Sequence, residues 1–280
     1  MTTITKRLRE LTSLQYWRNK PPRVAVVRLS GVIADRTGLK SGLSLSSLDP
    51  VLKRAFETSK IKAVALTINS PGGSPVQSAL IAKRIRALAE EHDVAVFAFC
   101  EDVAASGGYW LAACADEIYA DANSIIGSIG VVSGGFGFTG LIDKIGVERR
   151  LHTSGDSKAM LDPFSPEKAT DVKHLKSLQS EIHENFKAMV RERRGDRLKG
   201  TEKKLFSGAF WTGTASLELG LVDGLGDLHT ILREKYGDKV KLKPVKVSKS
   251  WLQSWFSSET LSGEAIATVE DKLIWNRFGL

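Results

Sequence analysis

Two runs of apolar residues, separated by an amphipathic segment, set the pattern of the first half of the chain. Ile61–Asn69 is almost continuously apolar and rich in β-branched residues, which is typical of a strand buried on both faces of a parallel sheet. After a Ser-Pro-Gly turn, Ser74 and Pro75 fit the N-cap and first position of a helix, and Gln77 is placed to complete a capping box. A second buried strand is predicted at Val94–Phe99. This strand–helix–strand order predicts an α/β fold with a mostly parallel sheet.

The pattern continues with shorter elements and one long helix. The further predictions are strands at Val24–Leu29, Glu117–Ala120, Ile129–Val132 and Val147–His152, a helix starting near Ser106, a long helix capped by Ser165–Glu167 and stopped by Gly195, and small helices near 201–206, 214–220 and 228–235. The two ends of the chain differ in character from this body. We therefore expect a single domain over 23–237, with a basic N-terminal extension over 1–22 and a partly amphipathic C-terminal extension over 238–280.

The composition favours a globular protein with a sizeable core. The 280 residues are 42% hydrophobic and 26% charged, which excludes disorder of the whole chain. Cys100 and Cys114 have no CxxC spacing and lie in apolar surroundings, so we expect two buried, reduced thiols. The net charge of +8 is spread along the chain, with no zinc-finger spacing and no basic stripe interleaved with aromatic residues. We therefore expect no nucleic-acid partner.

Three features bear on the location of the protein. The first twenty residues contain basic side chains but no apolar core, so we expect no signal peptide and a cytoplasmic protein. Residues 122–142 carry no charge, but their glycines and hydroxyl groups favour turns around a site over a membrane span. Trp251, Trp255 and Phe256, with the amphipathic segment after them, suit peripheral contact with a membrane or packing on the body or a neighbouring subunit, and we favour the packing.

Some motif matches are explained better by ordinary structure. Gly135–Gly140 matches GxGxxG, but the helix after it is short and no acidic residue ends the next strand, which argues against a dinucleotide site. Ser165–Lys168 matches SxxK and is explained by helix capping. The five histidines show no HExxH spacing. We expect neither a metal nor a cofactor.

Three loops form a stronger set. Ser70–Gly73 ends a buried strand at a helix N-terminus, where glycine N–H groups can stabilise an oxyanion. Ala104–Gly108 follows the next strand and presents Ser106 among small residues, and parallel strands place both loops at one edge of the sheet. A serine nucleophile needs a base, and the loop Ser154–Lys158 offers a lysine. A lysine base must be held neutral by an apolar pocket, because a free lysine is protonated at pH 7.

The order and spacing of the motifs resemble a known family. SPGG at 70–73, AASGGYW at 104–110, GSIGV at 127–131 and SGDSK at 154–158 together resemble the signal peptide peptidase A (SppA-like) family of serine peptidases, over about residues 23–235. The resemblance implies a crotonase/Clp-protease-like core, which is a ββα superhelix.

The resemblance also implies roles for individual residues. Ser106 matches the nucleophile and Lys158 the general base of a Ser-Lys dyad, and Ser128 matches the hydroxyl that orients the lysine. Gly73, with the N–H of Gly107, matches the oxyanion hole, and Gly72 is the adjacent alternative.

The implied activity is that of a serine endopeptidase that hydrolyses short unstructured peptides, such as signal-peptide remnants, through an acyl-enzyme. The family assembles into rings, so the resemblance implies a homo-oligomer in which neighbouring subunits share the dyad. Two other functions remain open. A crotonase-like enzyme would use the oxyanion hole on an acyl-CoA thioester and needs glutamates in its pocket, whereas a non-catalytic peptide-binding scaffold would keep its function without Ser106.

Overall fold

A sheet of eight strands organises the computed structural model, which describes residues 21–35, 42–246, 272 and 274–279. Its strands are β1 (Arg23–Ser30), β2 (Ile61–Ser70), β3 (Ala95–Ala105), β4 (Glu117–Ala120), β5 (Ile125–Gly127), β6 (Phe210–Thr212), β7 (Gly224–Leu225) and β8 (Lys241–Pro244). The order across the sheet is β6-β5-β3-β2-β1-β8, and β4 pairs with β3 and β7. The pairs are parallel except for β5 with β6. The α/β fold and mostly parallel sheet predicted from the sequence are confirmed.

Helices cover the sheet and carry its connections. They are α1 (Leu45–Phe56), α2 (Pro75–His92), α3 (Gly107–Ala113), α4 (Thr139–Lys144), α5 (Ala169–Arg194), α6 (Glu202–Leu205), α7 (Gly213–Glu218) and α8 (Leu228–Tyr236). The larger apolar cluster joins the central strands to α1, α2, α3 and α5, and a smaller one packs α8 on the opposite side of the same strands. The near-continuous apolar sequence of β2 follows from this burial on both faces.

The carboxyl ends of the central strands meet in one region. Ser70 of β2 lies beside Ala104 of β3, and Ala105 pairs with Gly127 of β5. An isolated parallel bridge also joins Gly73 to Ile33, after β1. The glycine-rich loops of the sequence therefore converge at this edge, as predicted.

Several predicted elements have other bounds. No strand forms at Ile129–Val132, because the strand in this region is β5, which pairs with β3 and ends before a turn at Ser128. None forms at Val147–His152, where the chain is exposed and lacks a strand partner. The long helix begins at Ala169 with Lys168 at its N-cap, because the Ser165 hydroxyl donates to Asp162 at 3.2 Å.

The predicted start of α2 is confirmed, but the predicted capping box is wrong. Ser74 accepts a hydrogen bond from the Gln77 backbone N–H, and Pro75 is the first helical residue. The Gln77 side chain accepts instead from the Leu45 N–H at 2.8 Å, which joins the starts of α2 and α1.

The two cysteines are free and buried, as predicted. Burial raises the pKa of the Cys100 thiol and that of the Cys114 thiol to about 12. Both thiols are therefore protonated in the folded protein.

The ends of the chain are described only in part. Strand β8 lies in the predicted C-terminal extension and pairs with β1 at the edge of the sheet. Phe278 packs edge-to-face on Phe210 of β6, with ring centroids 5.2 Å apart. The predictions for 1–20, Trp251, Trp255, Phe256 and most of the later amphipathic segment fall outside the described residues. Among the described residues, no helix combines the length and apolar character needed to cross a bilayer.

Candidate active site

Ser106 lies where β3 turns into α3. Its backbone has φ 53° and ψ −123°, a conformation that few residues other than glycine adopt. The conformation is held from both sides, because the Ser106 N–H donates to the Gly127 carbonyl at 2.8 Å and its carbonyl accepts from the Trp110 N–H at 3.0 Å. Ser106 is half-buried and lines two adjoining cavities.

Glycines around Ser106 permit a close backbone approach that a side chain would block. A Cβ on Gly72 would lie 2.8 Å from the Gly107 nitrogen and 2.8 Å from the Ser106 Cβ. A Cβ on Gly73 would lie 2.1 Å from the Ile33 carbonyl oxygen, and its φ of 143° also disfavours a side chain. The sequence therefore needs glycine here for contact between loops.

Two backbone N–H groups beside Ser106 are placed to bind an anion. Among the described residues, neither Gly73 nor Gly107 donates its N–H to another protein group. The Gly72 N–H instead donates to the Ser70 hydroxyl at 3.2 Å, which favours Gly73 of the two alternatives. Gly107 opens α3, where the first N–H groups have no partner within the helix. Gly73, Ser106 and Gly107 line one small pocket.

Ser128 lies in the second cavity with Ser106. It is buried, has φ 53°, and donates its N–H to the Ala209 carbonyl at 2.7 Å. The cavity has a volume of about 300 Å³ and is lined by Ser106, Ser128, Gly130, Val131, Val132, His183, Ser207, Gly208 and Arg277. Its described walls therefore carry hydroxyl groups and basic side chains but no carboxylate.

Lys158 lies apart from these residues. It is exposed in a turn in which its N–H donates to the Gly155 carbonyl at 3.2 Å, and it does not line the cavities of Ser106. A single described chain therefore brings Ser106, Ser128, Gly73 and Gly107 together and does not bring Lys158 to them.

His183 and Arg277 also line the serine cavity, although neither was predicted from the sequence as a site residue. The periodicity of α5 places His183 on its polar-leaning side, yet a ring nitrogen, Nε2, lies 3.1 Å from the Ile129 carbonyl oxygen in the serine cavity. In the sequence, His183 directly follows Ile182 and precedes Phe186, and both of these residues belong to the apolar stripe of α5. That position is the sequence signal that indicates a partly buried histidine. For Arg277, only the tertiary fold brings the C-terminal segment to the cavity.

In the described ranges, no group of three or more His, Cys, Asp or Glu side chains is arranged to hold a metal ion. The two cavities of Ser106 are lined by hydroxyl groups, glycine backbone and basic side chains.

Comparison with known proteins assigns this arrangement to a family. The model of peptidase family S49 matches residues 89–243, more than half of the chain, including the loops of Ser106, Ser128 and Lys158. The chain belongs to peptidase family S49. Together with the Enterococcus faecium relative described next, this match confirms the predicted SppA-like relationship.

Two relatives extend the match along the chain. The putative signal peptide peptidase SppA of Enterococcus faecium is 29% identical over 263 residues, covering 90% of this chain and 76% of that protein. A protein of Brucella abortus named Na⁺/H⁺ antiporter NhaA is 51% identical over 272 residues, covering 92% of this chain. This chain spans only 37% of the length of the Brucella protein.

The fold is similar to that of a solved structure, a mutant of the 1510-N membrane-bound stomatin-specific protease. The TM-score is 0.53, with 16% sequence identity, over 82% of this chain and all of that one. At this identity the similarity supports the fold and not the substrate.

Proposed function

We propose that this S49 peptidase is a Ser-Lys endopeptidase with Ser106 as nucleophile. The observation that carries the proposal is the strained Ser106 backbone beside two free N–H donors, those of Gly73 and Gly107. Donors fixed before the reaction stabilise the negative charge that develops on the substrate carbonyl, and they need no reorganisation.

The proposed mechanism has two stages, acylation of Ser106 and hydrolysis of the acyl-enzyme. The Ser106 oxygen attacks the scissile carbonyl carbon while neutral Lys158 takes the hydroxyl proton, and the N–H groups of Gly73 and Gly107 bind the oxyanion. The intermediate then collapses: the C–N bond breaks, the leaving amine takes the proton from Lys158, and an acyl-enzyme remains. Water, deprotonated by Lys158, then attacks the ester carbon; the C–O bond to Ser106 breaks, Lys158 returns the proton to the Ser106 oxygen, and the carboxylic acid product leaves. Ser128 orients the lysine amine.

We infer that Lys158 reaches Ser106 from a neighbouring subunit of a homo-oligomer. Support comes from the position of Lys158 within one chain, away from the serine cavity. The segment before it also exposes large apolar side chains, including Ile145 at 63%, Val147 at 52% and Leu151 at 45%. Large exposed apolar patches mark protein–protein or membrane contacts.

The proposed substrates are short unstructured peptides, including signal-peptide remnants. A substrate must present an extended segment to place a backbone carbonyl between Ser106 and the two glycine donors. A folded protein does not offer such a segment. The name of the Enterococcus faecium relative, a putative signal peptide peptidase, agrees with this class. Such substrates arise at the membrane, and we propose that a cytoplasmic enzyme removes them from there.

The antiporter name of the Brucella relative does not describe the segment that aligns with this chain. Ion transport across a bilayer needs membrane-spanning segments, and no helix in the described part of this chain qualifies. The aligned segment makes up 37% of the Brucella protein. We infer that the antiporter name refers to the rest of that protein.

The two alternative functions have less support. A crotonase-like acyl-CoA enzyme would need carboxylates at the reacting centre, and none lines the described walls of the serine cavity. A non-catalytic peptide-binding scaffold gives no reason for the strained Ser106 backbone beside two free donors.

The test is the intact mass of the protein after exposure to a fluorophosphonate, which reports an activated serine without a choice of substrate. We expect one adduct on the wild type and none on Ser106→Ala, with Ser207→Ala as a control from the same cavity. Equal labelling of wild type and Ser106→Ala would refute Ser106 as the nucleophile. No labelling of the assembled wild type would favour the thioester or scaffold function.

A further inference from the structure

A groove of about 720 Å³ separates two helices beside the candidate active site. Helices α2 and α5 both pack on α3, and the groove between them has Trp110 of α3 at its base. The walls are largely small or apolar and include Val76, which is 64% exposed, together with the exposed Ala87 on α2 and Ala188 on α5.

The groove is continuous with the pocket of the nucleophile. Pro75, Trp110 and Ile182 line both the groove and the small pocket that contains Ser106 and Gly73. A chain whose carbonyl group is held at Ser106 can therefore continue into the groove.

Side chains at both ends fix the width of the groove. Near Ser106, Trp110 stacks on Phe186 with ring centroids 4.5 Å apart. At the far end, Arg86 of α2 and Arg193 of α5 bind the same oxygen of Asp116, at 2.9 and 3.0 Å. Because the two walls hold one carboxylate, the groove is formed before a ligand arrives, which lowers the entropy lost on binding.

The dimensions and charge of the groove define its ligand. From Pro75 to Glu90 the α2 wall is about 22 Å long at 1.5 Å per residue, which matches about six extended residues at 3.3–3.6 Å each. Lys83 and the two arginines are offset by Glu90, Glu192 and the shared aspartate. The groove thus suits an uncharged apolar segment.

We propose that this groove binds an apolar stretch of the peptide substrate, about six residues long, on one side of the bond that Ser106 cleaves. The inference rests on the proposed peptidase function and adds a binding site outside the serine cavity. The substrate is the favoured occupant because the groove opens onto the nucleophile, shares three residues with its pocket and is already formed.

The test compares two peptides on the 280-residue protein. One is a short peptide that the wild type cleaves, and the other is the same peptide extended by six alanine and leucine residues, first on one side and then on the other. We expect one extension to raise kcat/KM about tenfold, because burying apolar surface contributes roughly 25 cal/mol per Å². Ala87→Trp and Ala188→Trp fill the groove from opposite walls, so each should reduce this gain to less than about twofold.

The matched control is Ala169→Trp, an exposed position on α5 outside the groove lining, which should keep the wild-type gain. Native mass is measured for every variant. An unchanged gain in both groove variants overturns the proposal, and so does a change in their assembly, which would assign the groove to a second copy of the chain. Absence of both cleavage and fluorophosphonate labelling in the wild type would refute the proposed function itself, whereas a cleaved short peptide with no gain from either extension refutes only the groove.

Discussion

At Ser106 the backbone leaves the sheet with a φ of 53°, and the side chain is presented where neither a regular strand nor a regular helix would place it. Such a conformation costs on the order of 1–3 kcal/mol. The hydrogen bonds from Ser106 to Gly127 and from Trp110 to Ser106 maintain it, and they use only backbone atoms. Removal of the hydroxyl therefore leaves the scaffold unchanged, which makes Ser106→Ala a specific test of chemistry.

Gly107 offers a test of the close packing around the oxyanion donors. In Gly107→Ala the new Cβ would lie 2.4 Å from the Ser78 hydroxyl oxygen, which is buried and bonded to the Ser74 carbonyl at 2.8 Å. We expect a loss of about 1–3 kcal/mol in the free energy of unfolding from this overlap. Urea denaturation measures it, and Gly107→Ala combined with Ser78→Ala should recover most of the loss. Equal stability of the double and single Gly107 variants would contradict this origin.

At the scale of the elements, one buried arginine joins the end of α5 to the sheet. Arg194 donates to both carboxylate oxygens of Asp223, at 2.7 and 3.0 Å, and to the Gly220 carbonyl. Asp223 also accepts from the Ile118 N–H in β4 at 2.8 Å. Burial alone would raise the pKa of Asp223, but the hydrogen bond and charge of Arg194 outweigh it and lower that pKa. The last turn of α5 carries three arginines, and one of them, Arg194, therefore has a specific buried partner.

Arg194→Met should destabilise the protein by about 3–5 kcal/mol, because it leaves the Asp223 charge buried without its main partner. The lowered pKa of Asp223 contributes stability above its unfolded value near 3.9, and this contribution is lost as the pH falls through the lower folded value. In Arg194→Met the folded pKa of Asp223 rises, so less stability is lost on acidification, and the stability difference between the wild type and the variant should narrow as the pH falls below the unfolded value.

Urea unfolding between pH 3 and pH 7 measures this difference. Arg194→Met with Asp223→Asn removes the buried charge and should recover part of the stability. Identical pH profiles for the wild type and Arg194→Met would contradict the assignment.

At the scale of the whole molecule, the proposed catalytic residues lie in two separate places. Ser106, Ser128, Gly73 and Gly107 converge within one chain, whereas Lys158 lies on an exposed segment with large apolar side chains. Burial of that segment against a neighbouring copy would remove this apolar surface from water and provide the apolar surroundings that a neutral lysine base needs.

A mixing experiment tests the shared dyad. Ser106→Ala and Lys158→Ala should each be inactive alone, but subunit exchange between them should restore about a quarter of the sites if each site takes its serine and lysine from different subunits at random. Peptide cleavage after mixing measures this recovery. Ser106→Ala mixed with a Ser106→Ala/Lys158→Ala double variant is the control and should stay inactive. No recovery after exchange demonstrated by native mass would place both residues in one subunit.

Much of the fold was predictable because its signals are local. The apolar run of β2, Ser74 and Pro75 at the start of α2, and the glycine loops at the strand ends all follow from residues close in sequence. The convergence of Ser70–Gly73 with Ser106 followed from one rule, that parallel strands end at the same edge.

The remaining features depend on distant contacts. Gln77 bonds Leu45 instead of its own helix start, and His183 reaches the Ile129 carbonyl from a helix whose periodicity had placed it on the polar side. Arg277 joins the serine cavity from the far end of the sequence. The position of Lys158 relative to Ser106 is also non-local, since it is set by the path of a long exposed segment.

The buried cysteines give the protein a practical property. Both cysteines of the 280-residue sequence are buried, and each thiol has a pKa raised to about 12. Thiol-directed reagents should therefore not react with them while the protein is folded. A fluorophore or spin label can therefore be attached to a single engineered surface cysteine without removing the native ones. Pairs of such labels, on the groove wall and on the Lys158 segment, would report distances within and between subunits.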